Sequence, residues 1–267
     1  MRYESILELK SEATQRLYHV ARNRLKAHRL PLAPSSLQKF IHAEHRRGTT
    51  PQTIRVYVHA LAGKLRHDKK FVNTKQLVYP RELHPMPQSV SKSDIRDILH
   101  QSDPEFQFQL LSLLSSGMRV SELAQITPKM MQLPKVSIPP EITKTGRGRM
   151  TFFSPQVCRM IKKRLKAGEE IFFGGRTPRQ AVNLVDKRFA TARDRADLMS
   201  KYSHTKQNRY HIHPHSLRAY FITELNKIQF GVGHILAGHD FYMKQYNQYT
   251  VADLYTMYRK ADLEVRL

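Results

Sequence analysis

Apolar side chains recur at helical spacing in the first part of the chain. Three stretches place them three and four residues apart, at residues 3–26, 35–43 and 50–65. Ser35-Ser36 is a candidate cap for the second helix, and Thr50 followed by Pro51 is a typical start signal for the third. The pattern predicts a compact helical domain over residues 1–82.

A proline-rich segment follows this helical part. Three prolines lie within eight residues, at positions 80, 85 and 87. Because proline has no backbone N–H to donate, such a segment is typical of a linker rather than of an element interior. We therefore expect a linker at residues 83–88 and a second domain at residues 89–267. Ser91 and Asp94 have capping-box spacing, which predicts a helix soon after the linker.

The second domain begins with a helical pattern and continues into a short sheet. Residues 106–114 are strongly apolar and predict a buried helix, which Gly117 interrupts before a short helical pattern at residues 119–124. Apolar and polar residues then alternate, at residues 136–138, 142–144 and 150–153. With a turn at residues 145–148, this pattern predicts a small antiparallel sheet with Lys144 beside its tightest turn.

Helical patterns resume after the sheet and continue almost to the C-terminus, at residues 155–167, 178–196 and 215–261. Between the last two stretches, residues 200–213 are polar and irregular. The complete pattern predicts a fold that is mainly α with a small antiparallel β-sheet.

Charge indicates the kind of partner. The 267 residues contain 45 Lys and Arg against 22 Asp and Glu, a formal net charge of +23. In residues 1–70 there are fifteen basic and five acidic residues, so this part carries about ten of the net charges. Such an excess favours a polyanion, most often nucleic acid, although a solvated basic surface is the alternative.

Cysteine content and hydropathy exclude several classes of protein. Cys158 is the single cysteine, so it forms no intramolecular disulfide and no cysteine-rich metal module. No stretch approaches the ~20 apolar residues that a membrane span needs, and the charged N-terminus lacks an apolar signal region. We expect a cytoplasmic protein that does not enter a membrane.

Five polar residues of the second domain stand in short motifs: Arg119 in SSGMRVSELAQI, Lys144 in EITKTGRGRM, His215 and Arg218 in HPHSLR, and His239 in LAGHD. Each has an ordinary explanation, as an ion-pair partner, a turn lysine, a helix cap or a core histidine. His215 and Arg218 are three residues apart, so on a helix they share one face. Their significance depends on their occurring together and in this order.

That order resembles the tyrosine recombinases, also called phage-integrase-type site-specific recombinases. The resemblance covers residues 89–261 and includes the arginine of GxRxSEL, a β-turn lysine 25 residues later, His-x-x-Arg, and Gly-His followed by tyrosines. It implies a helical core-binding, DNA-binding domain at residues 1–82 and a tyrosine-recombinase catalytic domain at residues 89–267. It also implies a site-specific recombinase or integrase that cleaves and rejoins DNA through a 3′-phosphotyrosyl intermediate without a metal.

The resemblance assigns roles to the cationic residues. Arg119 and Arg218 would bind the non-bridging phosphate oxygens, for which the planar guanidinium is well suited. Lys144 would protonate the departing 5′-oxygen, which otherwise leaves as a poor alkoxide. His215 would assist proton transfer, and His239 would hydrogen-bond the phosphate.

Glu122 is expected to support this set by orienting Arg119 rather than by reacting. The nucleophile has two candidates, because Tyr246 and Tyr249 follow His239 by 7 and 10 residues. Spacing favours Tyr249, whereas the tail pattern YxxxT…L…YxKA resembles archaeal and archaeal-virus members and favours Tyr246. We expect Tyr246, with Tyr249 as the alternative.

A metal site is the competing interpretation of the histidines at positions 211, 213 and 215, together with His234 and His239. No carboxylate or cysteine accompanies them to complete a tetrahedral set, so we expect neither a metal nor another cofactor. The expected partner is double-stranded DNA, bound by four protomers as the family resemblance implies. The residues after the tyrosines could then dock on a neighbouring protomer.

Two other functions stay open. A type IB topoisomerase-like enzyme would use nearly the same residues to nick and close DNA without pairing two sites. A catalytically idle relative would bind DNA and perform no chemistry. The expected location is the nucleoid of the cytoplasm, in the host cell if the protein is encoded by a virus or mobile element.

Overall fold

The computed structural model describes residues 3–8, 10–82, 89–169, 172–199, 210–239 and 249–265. The described residues divide into two compact units, one within residues 3–82 and the other within residues 89–265. The linker predicted at residues 83–88 lies outside the described residues. Across these described ranges, no helix is long and apolar enough to cross a membrane.

The first unit contains helices α1 Tyr3–Glu8, α2 Glu12–Ala27, α3 Ser36–Arg46 and α4 Pro51–His67, followed by a 3₁₀ turn at Thr74–Gln76. The single helix predicted over residues 3–26 is two helices, because the Ser11 hydroxyl accepts a backbone N–H in the first turn of α2 and so begins a new one. Thr50 caps α4 as predicted. Ser35 has helical backbone angles and makes no capping hydrogen bond, so its predicted role is wrong.

Apolar side chains of α2, α3 and α4 form the core of the first unit. The buried set is Ala21, Leu25, Leu37, Phe40, Ile41, Ile54, Val58, Leu61, Ala62 and Leu65. The segment after α4 is fastened to α3 by Gln38, which accepts from the backbone N–H of Val78 at 2.9 Å and donates to its carbonyl at 3.0 Å. The Gln38 side chain thus satisfies both backbone groups of Val78, as the backbone of a neighbouring β-strand would.

The second unit is also mostly helical. Its helices are α5 Lys92–His100, α6 Pro104–Ser116, α7 Val120–Leu123, α8 Pro155–Lys166, α9 Pro178–Arg195, α10 Pro214–Ile228, α11 Val232–Ala237 and α12 Val251–Lys260. The capping box predicted at Ser91 and Asp94 is present. The apolar run predicted as a buried helix is α6, whose residues from Phe106 onward are buried except for Gln107.

A three-stranded antiparallel sheet interrupts the helices. It consists of β1 Met131–Gln132, β2 Lys135–Ile138 and β3 Arg149–Phe152 in the order β1-β2-β3. The sheet was predicted, but the strand expected at residues 142–144 is wrong. A 3₁₀ turn at Pro140–Ile142 occupies the start of this segment, because the adjacent Pro139 and Pro140 have no N–H for a ladder.

The C-terminal end of α6 is bonded by side chains from two other elements of the second unit. The carbonyl of Ser115 accepts from the Tyr258 hydroxyl of α12 at 2.9 Å, and that of Ser116 from the Thr151 hydroxyl of β3 at 2.8 Å. The last carbonyls of a helix have no partner within the helix. Side chains from other elements therefore complete this terminus and hold it in one place.

The last described residues pack against their own unit. Leu263 and Val265 are buried, and the backbone N–H of Gln156 donates to Glu264 at 3.2 Å. The Lys92 ammonium of α5 also pairs with the Asp262 carboxylate. Within a single chain, the C-terminal segment thus already has an apolar site on the second unit.

Candidate active site

Arg119 precedes α7 because α6 ends at Ser116, three residues earlier. Gly117 has φ +62, and a Cβ at this position would lie 2.3 Å from the Phe221 ring, so glycine is required. The Arg119 backbone N–H donates to Glu122 Oε2 at 2.9 Å, and its Nη1 donates to Oε1 at 2.8 Å. Glu122 is fully buried, whereas the Arg119 side chain is 24% exposed. Glu122 therefore holds an arginine that still reaches solvent.

Arg149, at the start of β3, holds the opposite side of the same carboxylate. Its Nη2 donates to Glu122 Oε2 at 2.6 Å, its Nη1 to Oε1 at 3.1 Å, and its Nε to the carbonyl of Leu236 at 3.1 Å. Burial by itself would raise the pKa of Glu122, but the bonds and charges of Arg149, and then of Arg119, outweigh it and lower that pKa. Glu122 is therefore ionised at neutral pH.

Arg218 on α10 is held by backbone oxygens rather than by a carboxylate. Its Nη1 donates to the Gly117 carbonyl, and its Nη2 donates to the Ala237 carbonyl at 2.5 Å. The side chain is buried, and its Nε has no hydrogen-bond partner among the residues that the structure describes. Burial, and then the charges of Arg119 and Arg149, lower the pKa of Arg218 to about 9. It is still a cation at neutral pH.

His215 lies in the first turn of α10, so it is not the cap of that helix. The cap position is occupied by His213, whose Nδ1 is hydrogen-bonded to the Ser216 hydroxyl at 2.6 Å. The His215 imidazole is exposed, yet partial desolvation, and then the charges of Arg218 and His213, lower its pKa. Neutral His215 beside Arg218 can accept a proton.

His239 lies two residues after the end of α11 and contacts a second histidine. Its Nδ1 lies 3.3 Å from Nδ1 of His234, so one ring donates and the other accepts. When His234 donates, His239 carries its own proton on Nε2, where it can donate to an oxygen. Burial, and then the charges of Arg218 and His234, lower the pKa of His239 to about 4, so the ring is neutral at pH 7.

Three further residues predicted for the site are Lys144 and the two candidate tyrosines. Lys144 is exposed in the loop between β2 and β3, five residues before Arg149. Tyr246 lies outside the described residues, so its position is not part of the structure. Tyr249 is half-buried and packs against the apolar core of the second unit.

Charge does not cancel within this cluster. Arg119, Arg149 and Arg218 contribute three positive charges, and Glu122 is the one carboxylate that the described structure bonds to them. The difference, 3 − 1, is two positive charges in a largely desolvated place. Burying cations without partners is costly, so such a site is suited to an anion with several acceptor oxygens.

Arg149 is the member that the sequence interpretation missed, and His234, which it considered only as a metal ligand, contacts His239. The signal for Arg149 was strand alternation: it and Thr151 are two residues apart on β3, share a face, and both point to the region of α6 and α7. Across the described ranges, no three His, Cys, Asp or Glu side chains are arranged to hold a metal ion.

A family model described as the phage integrase family matches residues 88–250, which is more than half of the chain. The chain therefore belongs to the phage integrase family. No curated protein is significantly similar to it in sequence.

Solved structures of integrases share its fold. A lambda integrase (residues 75–356) dimer bound to a COC′ core site has a TM-score of 0.69 and 13% identity, covering 94% of this chain and 97% of that one. The Tn1549 transposon integrase (residues 82–397) in complex with circular intermediate DNA has a TM-score of 0.62 and 15% identity, covering 95% and 96%. A lambda integrase tetramer bound to a Holliday junction has a TM-score of 0.68 and 15% identity, covering 91% and 76%. The predicted fold, mainly α with a small antiparallel sheet, is thus confirmed.

Proposed function

We propose that this protein is a site-specific DNA recombinase or integrase that cleaves and rejoins DNA through a 3′-phosphotyrosyl intermediate. The observation that carries the proposal is the uncompensated charge around Glu122 and Arg218, two positive charges in excess, with the buried Nε of Arg218 lacking a partner in the described structure. A phosphodiester offers the oxygens and the negative charge that this cluster lacks.

The proposed cleavage step uses side chains alone. Tyrosine Oη attacks the phosphorus, an O–P bond forms, and the P–O5′ bond breaks. His215, neutral at pH 7 because its pKa is lowered, accepts the phenolic proton. Lys144 gives a proton to O5′, which leaves as a 5′-hydroxyl. Rejoining to another strand is the same step in reverse.

The two arginines would stabilise the transition state rather than transfer protons. Negative charge on the non-bridging oxygens grows as phosphorus becomes pentavalent, and Arg119 and Arg218 are already positioned when it does. Neutral His239 would add a hydrogen bond to one of these oxygens. The pKa of a free tyrosine is about 10, so the same cations would also favour the phenolate of Tyr246, or alternatively of Tyr249.

The first unit is suited to hold the duplex. Fourteen of its described Lys and Arg side chains are exposed: Lys10, Arg16, Arg22, Lys26, Arg29, Lys39, Arg46, Arg47, Arg55, Arg66, Lys69, Lys70, Lys75 and Arg81. Within the described residues, the only Lys or Arg side chains of this unit in an ion pair are those of Arg55 and Lys64. We propose that residues 1–82 bind DNA phosphates, which makes affinity fall steeply with salt, and that residues 89–267 perform the chemistry.

The assembly and setting follow from this function. We propose a homotetramer on two duplexes, acting on DNA in the cytoplasm and nucleoid. The archaeal or viral source rests on the pattern of the tail alone, of which residues 240–248 lie outside the described structure. The topoisomerase-like alternative differs in one measurable way, because it relaxes supercoiled DNA without pairing two sites.

Covalent capture tests the proposal. A pool of randomised duplexes carrying nicks is incubated with the wild type, and with the Tyr246→Phe and Tyr249→Phe variants. Cleavage beside a nick releases a short oligonucleotide, so religation is prevented and the protein–DNA adduct accumulates. Peptide mass analysis then identifies the modified tyrosine, and sequencing identifies the captured duplex.

We expect an adduct with the wild type and with Tyr249→Phe, and none with Tyr246→Phe. An adduct that persists in Tyr246→Phe and disappears in Tyr249→Phe assigns the nucleophile to Tyr249. Failure of all three proteins to capture any duplex contradicts the proposed function and favours the idle relative. Strand exchange between two captured duplexes distinguishes a recombinase from a topoisomerase.

A further inference from the structure

We propose that Arg149 is a positioning residue for strand cleavage: it neutralises and fixes Glu122, so that the charge and orientation of Arg119 are reserved for the phosphate. This inference rests on the proposed function. It adds a residue that neither the family resemblance nor the motif order singled out.

The hydrogen bonds of Glu122 are the first argument. Oε1 accepts from Nη1 of both Arg119 and Arg149, and Oε2 accepts from the Arg119 backbone N–H and from Nη2 of Arg149. A carboxylate has about four acceptor positions in its plane, so all of them are occupied. Rotation of the carboxylate would break several bonds at once. The plane of Glu122, and with it the direction of the Arg119 guanidinium, is therefore fixed from the Arg149 side.

Charge is the second argument. Glu122 is completely buried, the Arg149 side chain is 7% exposed, and that of Arg119 is 24% exposed. Because one buried carboxylate faces two arginines, the group of Arg119, Arg149 and Glu122 keeps one net positive charge, and Arg119 is its more exposed cation. With Arg149 absent, Glu122 would instead neutralise Arg119, and the site would lose the charge that attracts a phosphate.

The third argument is the link to the histidine loop. Arg149 Nε donates to the Leu236 carbonyl in α11. The histidine loop is the segment that follows this helix and contains Gly238 and His239. Gly238 makes this contact possible, because a Cβ there would lie 2.5 Å from Cδ of Arg149. One side chain thus spans the Arg119–Glu122 pair and the loop of His239. It also belongs to the hairpin whose loop carries Lys144.

A purely structural ion pair is the competing explanation, and kinetics separate the two. The test uses the duplex captured by the wild type, single-turnover adduct formation, and a separate measurement of the dissociation constant for the same duplex. The variant is Arg149→Lys, which keeps the charge but cannot bond both Glu122 oxygens and Leu236. The matched control is Arg159→Lys, at an exposed position on α8.

We expect the adduct rate of Arg149→Lys to fall about 10- to 100-fold, the size of effect that misplacing a reacting group by about 1 Å produces. The dissociation constant should change less than threefold, and Arg159→Lys should match the wild type. The variant should also gain an acidic limb in its pH–rate profile. With the bidentate bond lost, the pKa of Glu122 rises, so lowering the pH protonates it and releases Arg119.

Two more variants complete the test: Glu122→Gln, and the double variant that combines Glu122→Gln with Arg149→Lys. If Arg149 acts through Glu122, Arg149→Lys costs less than threefold in rate when Glu122 is already glutamine. Three outcomes overturn the inference. The rate loss of the double variant could equal the product of the two single losses, or the adduct rate of Arg149→Lys could be unchanged. The third outcome is an effect of Arg149→Lys on the dissociation constant alone. If Arg149→Lys does not fold, Glu122→Gln alone decides, because a wild-type rate in that variant is incompatible with the proposal.

Failure of the proposed function has a different signature. In that case the wild type itself captures no duplex, and this inference is overturned together with the function. An active wild type with an equally active Arg149→Lys overturns the positioning role alone.

Discussion

Nη2 of Arg218 lies 2.5 Å from the carbonyl oxygen of Ala237, the last residue of α11. The second bond of this guanidinium goes to another backbone carbonyl, that of Gly117. Carbonyl dipoles hold the side chain without neutralising it, whereas a carboxylate would cancel its charge. Arg218 is therefore rigidly placed and still attracts an anion.

Replacement of Arg218 by lysine should separate placement from charge. An ammonium cannot reach both carbonyls and a phosphate in the same plane, so we expect the rate of covalent adduct formation to fall about 10²–10³-fold. Affinity for the captured duplex should change much less, because most of it comes from other phosphate contacts. Arg159→Lys is the control, and an Arg218→Lys rate within threefold of it would contradict the role of Arg218.

Gly238→Ala should destabilise the protein beyond the strain of its backbone. Gly238 has φ +74, and the added Cβ would collide with Cδ of Arg149. Gly168 after α8 has φ +68 with no atom within 4 Å of its Cβ position, so Gly168→Ala measures strain alone. We expect about 1–2 kcal/mol for Gly168→Ala and a further 1–3 kcal/mol for Gly238→Ala, measured by urea unfolding. Equal losses would show that the contact with Arg149 is unimportant.

The stability of the second unit should depend on pH through His239. The pKa of a free histidine is about 6.5, whereas that of His239 is lowered to about 4 in the folded protein. Between these values the unfolded chain binds the extra proton, so stability falls as the pH decreases from 6.5 to 4. We expect a smaller slope in His239→Asn, measured by chemical unfolding at several pH values. Exposed His59→Asn should keep the wild-type slope, and an unchanged slope in His239→Asn would refute the prediction.

Glu44 should stabilise the first unit. Its buried carboxylate contacts His28 Nε2 at 2.7 Å and the Thr49 hydroxyl at 2.5 Å. Burial raises its pKa, but these bonds outweigh burial and lower it, so its contribution is present above about pH 4.3 and lost as the pH falls through the lowered pKa.

At pH 7, Glu44→Gln should cost about 1–3 kcal/mol, because charge-assisted bonds are replaced by weaker or mismatched ones. Exposed Glu8→Gln is the control and should be nearly neutral. The measurement is urea unfolding of the full chain, followed at pH 7 and pH 4. A loss at pH 7 that does not shrink at pH 4 would count against the ionised form of Glu44 as the stabilising species.

The fold class and the family followed from the sequence because their signals are local. Helix caps such as Thr50 and Ser91, the break at Gly117 and the three-residue spacing of Arg119 and Glu122 involve neighbours along the chain. Such neighbours are brought together by the backbone itself, whatever the rest of the protein does. The order of the motifs then indicated the family, which the family match confirms.

Tertiary structure alone decided which distant residues meet. Arg149 bonds to Glu122 across 27 residues and to Leu236 across 87. Position 238 requires glycine because a Cβ there would collide with the Arg149 side chain. The strand expected at residues 142–144 is wrong because alternation gives only a preference for a strand, which the 3₁₀ turn at Pro140–Ile142 overrides. Sequence thus determined the local elements and the chemical residue types. Which side chain neutralises which charge depends on packing between elements, and the linear pattern does not encode it.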